Sequence, residues 1–158
     1  MPVQLTAEHA KQSLTAHVVA KGTEIFLKYG AGLDWPRLLA LLEDRTCVRY
    51  PCRVEFDSAT LLPGEFAHAA QLGERPEEGF VIHVHPLYAA QPSDVPWLVL
   101  YHLVTVNYGQ FASADDAETF GAAALGLLRD EYYERLCALA DRLGVGIDPG
   151  AGAGCAGS

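Results

Sequence analysis

The stretch from Phe80 to Gly109, FVIHVHPLYAAQPSDVPWLVLYHLVTVNYG, constrains this chain more than any other. Its second half, Trp97 to about Asn107, is apolar nearly all round at helical spacing. A helix without a polar face must sit in the middle of a domain, covered on every side by other elements. Its first half alternates, with Phe80, Ile82 and Val84 on one face of a strand and Val81, His83 and His85 on the other. Pro86 ends that strand, and Ser93 or Asp94 is expected to cap the helix, with Pro96 tolerated in its first turn. At ten residues the run Trp97–Val106 is too short to span a bilayer.

What must surround the helix is supplied by the rest of the chain. With 158 residues, half of them apolar and 20% charged, one domain can bury a core without staples. To the N-terminal side, Thr6 reads as a helix cap and Glu8 as a first-turn carboxylate, followed by Leu14, Val18, Ile25, Phe26 and Tyr29 at helical spacing. Gly30 and Gly32 stop that helix, and Asp34-Trp35-Pro36 opens a short second one through Leu42. Lys21 and Lys28 fall on the polar side of the first helix, as a solvated face or a basic patch. From Cys47 to Phe56 the pattern alternates, and Pro51 confines it to an edge strand or a bulge. Leu62-Pro63-Gly64 turns the chain into a short returning strand, Glu65 to His68. There Glu65 and His68 would lie on opposite faces and not share a metal.

To the C-terminal side, Ser113 with Asp116 forms a capping box for a helix rich in small residues, Ala117, Gly121, Ala122, Ala123 and Ala124, expected to press against the central one. A last helix is expected from near Asp130, with Tyr133, Leu136, Cys137, Ala140 and Leu143 inward and Gly144 at its end. The expected organisation is one globular domain over residues 1–146 and a flexible Gly/Ala-rich tail over 147–158. The expected fold class is α+β: mainly helical, with a small antiparallel or mixed sheet packed on a central apolar helix.

Charge and cysteine usage narrow the function classes. The net charge of -9, with no run of Lys and Arg, opposes binding to a phosphate backbone, so no nucleic acid is expected as partner. The first residues carry neither the basic region nor the apolar run of a secretory signal, which predicts a soluble, cytoplasmic protein with no membrane association. Cys47, Cys52, Cys137 and Cys155 form no Cys-x-x-Cys pair. They read as free thiols, not as a zinc ribbon or a redox site.

Three histidines carry the candidate chemistry. His83 and His85, two apart on a strand, have the spacing of imidazoles converging on one ion, or of two ordinary hydrogen-bonded histidines. His102 lies on a stripe with Val95, Val99 and Val106, and an imidazole among aliphatics needs a metal, a carboxylate or a carbonyl to satisfy it. Glu118, in the following helix, is the available carboxylate.

Two helices, an edge hairpin, an inner strand ending in His85-Pro86 and a central helix carrying Tyr101-His102 together resemble the zincin metallopeptidases, in particular minigluzincin-like domains, over about residues 10 to 143. In that family the central helix bears His-Glu-x-x-His, whose histidines bind Zn and whose Glu activates water, with a third ligand from a later helix. Here the run is His102-Leu103-Val104-Thr105-Val106. The resemblance keeps the first ligand as His102, puts Leu103 at the base and Val106 at the second ligand, and suggests Glu118 as the third. It therefore implies a zincin-like pseudoenzyme without peptidase activity.

Three functional classes follow. The first is a pseudoenzyme that binds a protein or peptide, an extended segment adding to the edge strand near residues 47 to 56. The second is a metal-binding protein or metal-dependent hydrolase with a rebuilt site of His83, His85, His102 and Glu118, suited to Zn. The third is a homodimeric structural or interaction protein built through small-residue helices and the aromatics Trp97, Tyr101, Tyr108, Tyr132 and Tyr133.

Overall fold

A computed structural model describes residues 7–143. Five helices and a three-stranded mixed sheet make up the described residues, an α+β domain of the expected class. Helix α1 (Ala7–Tyr29) turns Val18 and Ile25 fully inward, and Gly30 and Gly32, both at positive φ, release the chain from it. Helix α2 (Trp35–Glu43) starts as its sequence demands. Asp34 accepts a hydrogen bond from the Arg37 amide at 3.0 Å, Pro36 occupies the first turn, and Leu38, Leu41 and Leu42 are buried.

Strands β1 (Cys52–Phe56), β2 (Ala67–Gln71) and β3 (Phe80–Val84) form a sheet of order β1-β3-β2. β3 pairs parallel to β1 and antiparallel to β2, so the last strand in sequence is the central one. Its Phe80, Val81, Ile82 and Val84 are all buried, as a central strand covered on both faces requires. The edge position of β1 is as expected from Pro51. The expected start at Cys47 is not: residues 47–50 form a turn. The reason is Asn107, whose Oδ1 accepts from the Arg49 amide (2.8 Å) and whose Nδ2 donates to the Cys47 carbonyl (2.9 Å), diverting that backbone from any ladder. The returning strand likewise begins two residues later than expected, because Glu65 closes the preceding turn by accepting from the Leu62 amide at 2.7 Å.

The central helix α3 (Val95–Tyr108) meets the sheet on one side and helices on the others, with Leu98, Val99, Leu100, Leu103, Val104 and Val106 buried. Asp94 precedes it but makes no capping bond. It is drawn to the end of helix α5 (Arg129–Asp141), where Arg135 (2.7 Å) and Arg142 (2.8 Å) hold its two oxygens. Helix α4 (Ala114–Leu125) opens with the Ser113/Asp116 capping box and ends at Gly126 in the left-handed conformation. It packs on α3, as expected, but most extensively on α1. A Cβ at Gly22 of α1 would lie 2.7 Å from Ala123 Cβ and 2.8 Å from the Phe120 carbonyl oxygen, so the two backbones meet where Gly22 has no side chain.

Two corrections concern α5. Tyr132 is fully buried, with its hydroxyl on the Trp97 carbonyl (2.6 Å) and its ring stacked on Trp97 (5.7 Å), while Tyr133 is only half-buried. Leu136, Cys137 and Ala140 are buried as expected, while Tyr132 takes the place expected for Tyr133 and Leu139 joins the inward stripe. Cys137 is disulfide-bonded, contrary to the reading of four free thiols; Cys47 and Cys52 are free. Thr6, Gly144 and the 147–158 tail lie outside the described residues. No helix among the described residues is long and apolar enough to cross a membrane.

Candidate functional site

The alternation that places His83 and His85 on one face fails because β3 stops between them. Val84 is the last strand residue, and His85 caps the single turn Pro86–Ala90, its Nδ1 accepting from the Leu87 amide at 3.0 Å. The neighbour of His83 is instead His68, directly opposite it in the antiparallel ladder, with Glu55 in register on the other side. Residues opposite one another share a face. A row Glu55, His83, His68 therefore crosses all three strands, which reading the short returning strand alone did not reveal. Arg53 Nε holds the Glu55 carboxylate at 2.6 Å, and His83 Nδ1 is buried without a partner.

His102 belongs to α3, which packs on β2 and β3, and it is near enough to His68 to feel its charge. Its ring is edge-on to Phe66 (5.6 Å) and Tyr101 (5.3 Å), and its Nε2 is buried without a partner. Burial, followed by the charge of His68, lowers its pKa to about 4, so it is a neutral imidazole near pH 7. Glu118 is not turned toward it: its Oε1 accepts from Arg129 Nε (3.2 Å) and Nη2 (3.1 Å). Among the described residues, no group of three or more His, Cys, Asp or Glu side chains is placed to hold a metal ion. His83, His85, His102 and Glu118 are thus not gathered into one ligand set. Leu103 and Val106 are 0% and 1% exposed, enclosed in the core. A Zn ion does not fit this donor set.

The feature that remains accessible is the outer edge of β1. The Phe80 amide donates to the Pro51 carbonyl (2.7 Å) and the Asp57 amide to the Val84 carbonyl (3.1 Å), which fixes the phase of the parallel ladder. Residues 51, 53, 55 and 57 direct their backbone groups at β3, so Cys52, Val54 and Phe56 direct theirs outward, where the sheet has no further strand. Phe56 is 36% exposed and packs its ring 5.9 Å from Trp35, giving this edge an aromatic flank. The other edge, β2, packs against α3 and buries Ala67. Burial pushes the Cys52 thiol up to about 12, leaving it protonated and a poor nucleophile at neutral pH.

No protein-family model, no curated protein and no solved structure matches this chain.

Proposed function

We propose that this chain is a binding protein, a zincin-like pseudoenzyme that accepts an extended peptide as an added strand on β1 and does not hydrolyse it. The observation that carries this reading is the row of backbone groups at Cys52, Val54 and Phe56 that the ladder with β3 leaves outward, with no further strand beside them among the described residues. An open row of N–H and C=O groups is a template for a further strand, and the ladder it forms supplies affinity for any extended backbone. Specificity then comes from side chains beside the row, here the exposed Phe56 with its half-buried neighbour Trp35 and the Arg53–Glu55 ion pair. Against hydrolysis stand Leu103 and Val106, two hydrocarbon side chains that neither take a proton nor ligate an ion.

The phase of the ladder also provides the test. Val54→Pro removes an amide that points away from β3, so it deletes no hydrogen bond of the sheet, and proline is tolerated on an edge strand at such a position. Peptides selected from a random displayed library should bind the wild-type protein and lose binding to Val54→Pro, whose melting temperature stays close to wild type. Selected peptides that bind Val54→Pro equally well would refute strand addition at this edge.

A further inference from the structure

The C-terminal end of α3 opens on a cleft. Its inner part, about 520 Å³, is lined by His17 and Lys21 of α1, Arg45, Cys47 and Arg49 of the 44–50 turn, and Tyr108. A second chamber of about 690 Å³ shares Leu14, Arg49, Asn107 and Tyr108 with the first and continues over Ala7 and Ala10 to Phe111, a phenyl ring 89% exposed. Three cationic side chains line the inner part and no carboxylate does. That is anomalous in a chain of net charge -9.

The ion pairing of the molecule sharpens the anomaly. Of the eleven Lys and Arg residues, seven pair with a carboxylate, leaving Lys11, Arg45, Arg49 and Arg75 without one among the described residues. Three of those four line this cleft. Arg45 donates to the Leu42 (2.9 Å) and Val48 (3.3 Å) carbonyls, and Lys21 is shared between Glu24 (2.9 Å) and the Thr46 carbonyl (2.7 Å). The Arg49 guanidinium makes no hydrogen bond among the described residues and rests over the Tyr50 ring at 5.2 Å. Tyr108, which lines the same cavity, has its hydroxyl buried without a partner among them and its ring edge-on to His17 at 5.3 Å. Burial raises that phenol to about 12, so it keeps its proton as a donor at neutral pH. An unpaired guanidinium and an orphaned buried hydroxyl in one cavity are the complement of an oxyanion. The acidic groups nearest this cleft are already engaged: Glu24 with Lys21, and Asp116, in the outer chamber, with Ser113 and Thr15.

We propose that this cleft binds a phosphate monoester with an apolar body, the phosphate between Arg49, Arg45, Lys21 and Tyr108 and the body over Leu14 toward Phe111. A dianion answers the excess of positive charge, and the open, apolar outer chamber accommodates a ring or short alkyl group. The Asn107 clamp fixes the cationic turn to the end of α3, so the guanidinium is presented from an ordered backbone.

Calorimetric titration at constant, low ionic strength tests this with phenyl phosphate, inorganic phosphate and benzyl alcohol. Phenyl phosphate should bind most tightly, inorganic phosphate more weakly, and benzyl alcohol not measurably. Arg49→Gln should weaken phenyl phosphate by about tenfold or more, the loss of a charge-assisted pair. Tyr108→Phe, which retains the ring and its packing, should weaken it several-fold. Val54→Pro should bind it as wild type does, so this site and the strand edge succeed or fail separately. No binding of phenyl phosphate, or equal affinity in folded Arg49→Gln and Tyr108→Phe, would overturn the assignment.

Discussion

Replacing Asn107 by alanine removes one side chain and leaves two backbone groups of a different segment unpaired. Asn107 is 7% exposed and ties the turn at residues 47–49 to α3 through its two hydrogen bonds. The Cys47 carbonyl belongs to a residue 2% exposed, whereas the Arg49 amide belongs to an exposed residue and is readily rehydrated. An orphaned buried group costs about 1–3 kcal/mol, and with the rehydrated amide discounted the Cys47 carbonyl alone sets the loss at about 1–3 kcal/mol. At about 2–4 °C per kcal/mol for a domain of this size, Asn107→Ala should melt about 2–12 °C below wild type by scanning calorimetry. Asn107→Asp separates the two bonds: it keeps the acceptor for Arg49 but turns a second lone pair, not a donor, at the Cys47 carbonyl. That carboxyl should have a raised pKa in the folded state, since only its protonated form donates. Its penalty should be smallest below the unfolded carboxylate value near 4 and should grow as pH rises through the folded value. An Asn107→Ala protein with the wild-type melting temperature would refute the clamp.

Three further outcomes follow from features already described. His102, with its pKa lowered to about 4 by burial, stays neutral while the unfolded chain takes a proton near pH 6.5; stability should be retained above that value and fall by on the order of 2–3 kcal/mol as pH drops toward 4. Chemical denaturation of His102→Phe against wild type across that window should show the slope diminished. Asp44 is held far below the usual carboxylate range by Lys28 first, then by Thr46 and Tyr29, so its contribution is present above pH about 4 and lost on further acidification; Asp44→Asn should be less stable at neutral pH and show a flatter acid limb. Gly22→Ala, despite a helix-propensity gain of about 1 kcal/mol, forces a methyl onto Ala123 and the Phe120 carbonyl, neither of which can rotate away, and should melt below wild type by calorimetry.

The elements that could be read from sequence are those fixed by local chemistry. Asp34-Trp35-Pro36 and Ser113 with Asp116 open their helices through bonds made within four residues, and the all-round apolar run of α3 leaves no place for it but the centre. Failures begin where a distant partner outbids the local pattern. Asp94 looks like a cap and is captured by Arg135 and Arg142 from 41 and 48 residues away. Cys47 looks like the start of a strand and is captured by Asn107. The candidate site shows the same division: His83 lies on β3 as expected, but its neighbours Glu55 and His68 are set by strand order, and strand order is not written in alternation. The cationic cleft was invisible because Lys11, Lys21, Arg45 and Arg49 form no run, and only the apposition of α1 with the 44–50 turn assembles them.

The strand order has a consequence for the order of events on the ribosome. β1 and β2 emerge first but do not pair with each other; each pairs only with β3. Until Phe80–Val84 has left the exit tunnel, the nascent chain holds two strands with every ladder group open, and the apolar α3 that closes the core comes later still. At synthesis rates of about 5–20 residues per second, that interval lasts seconds, long enough for a chaperone or a neighbouring nascent chain to take the vacant place. The open edge of β1 is thus exposed for longer during synthesis than either edge of β3, which comes last and pairs on both sides at once.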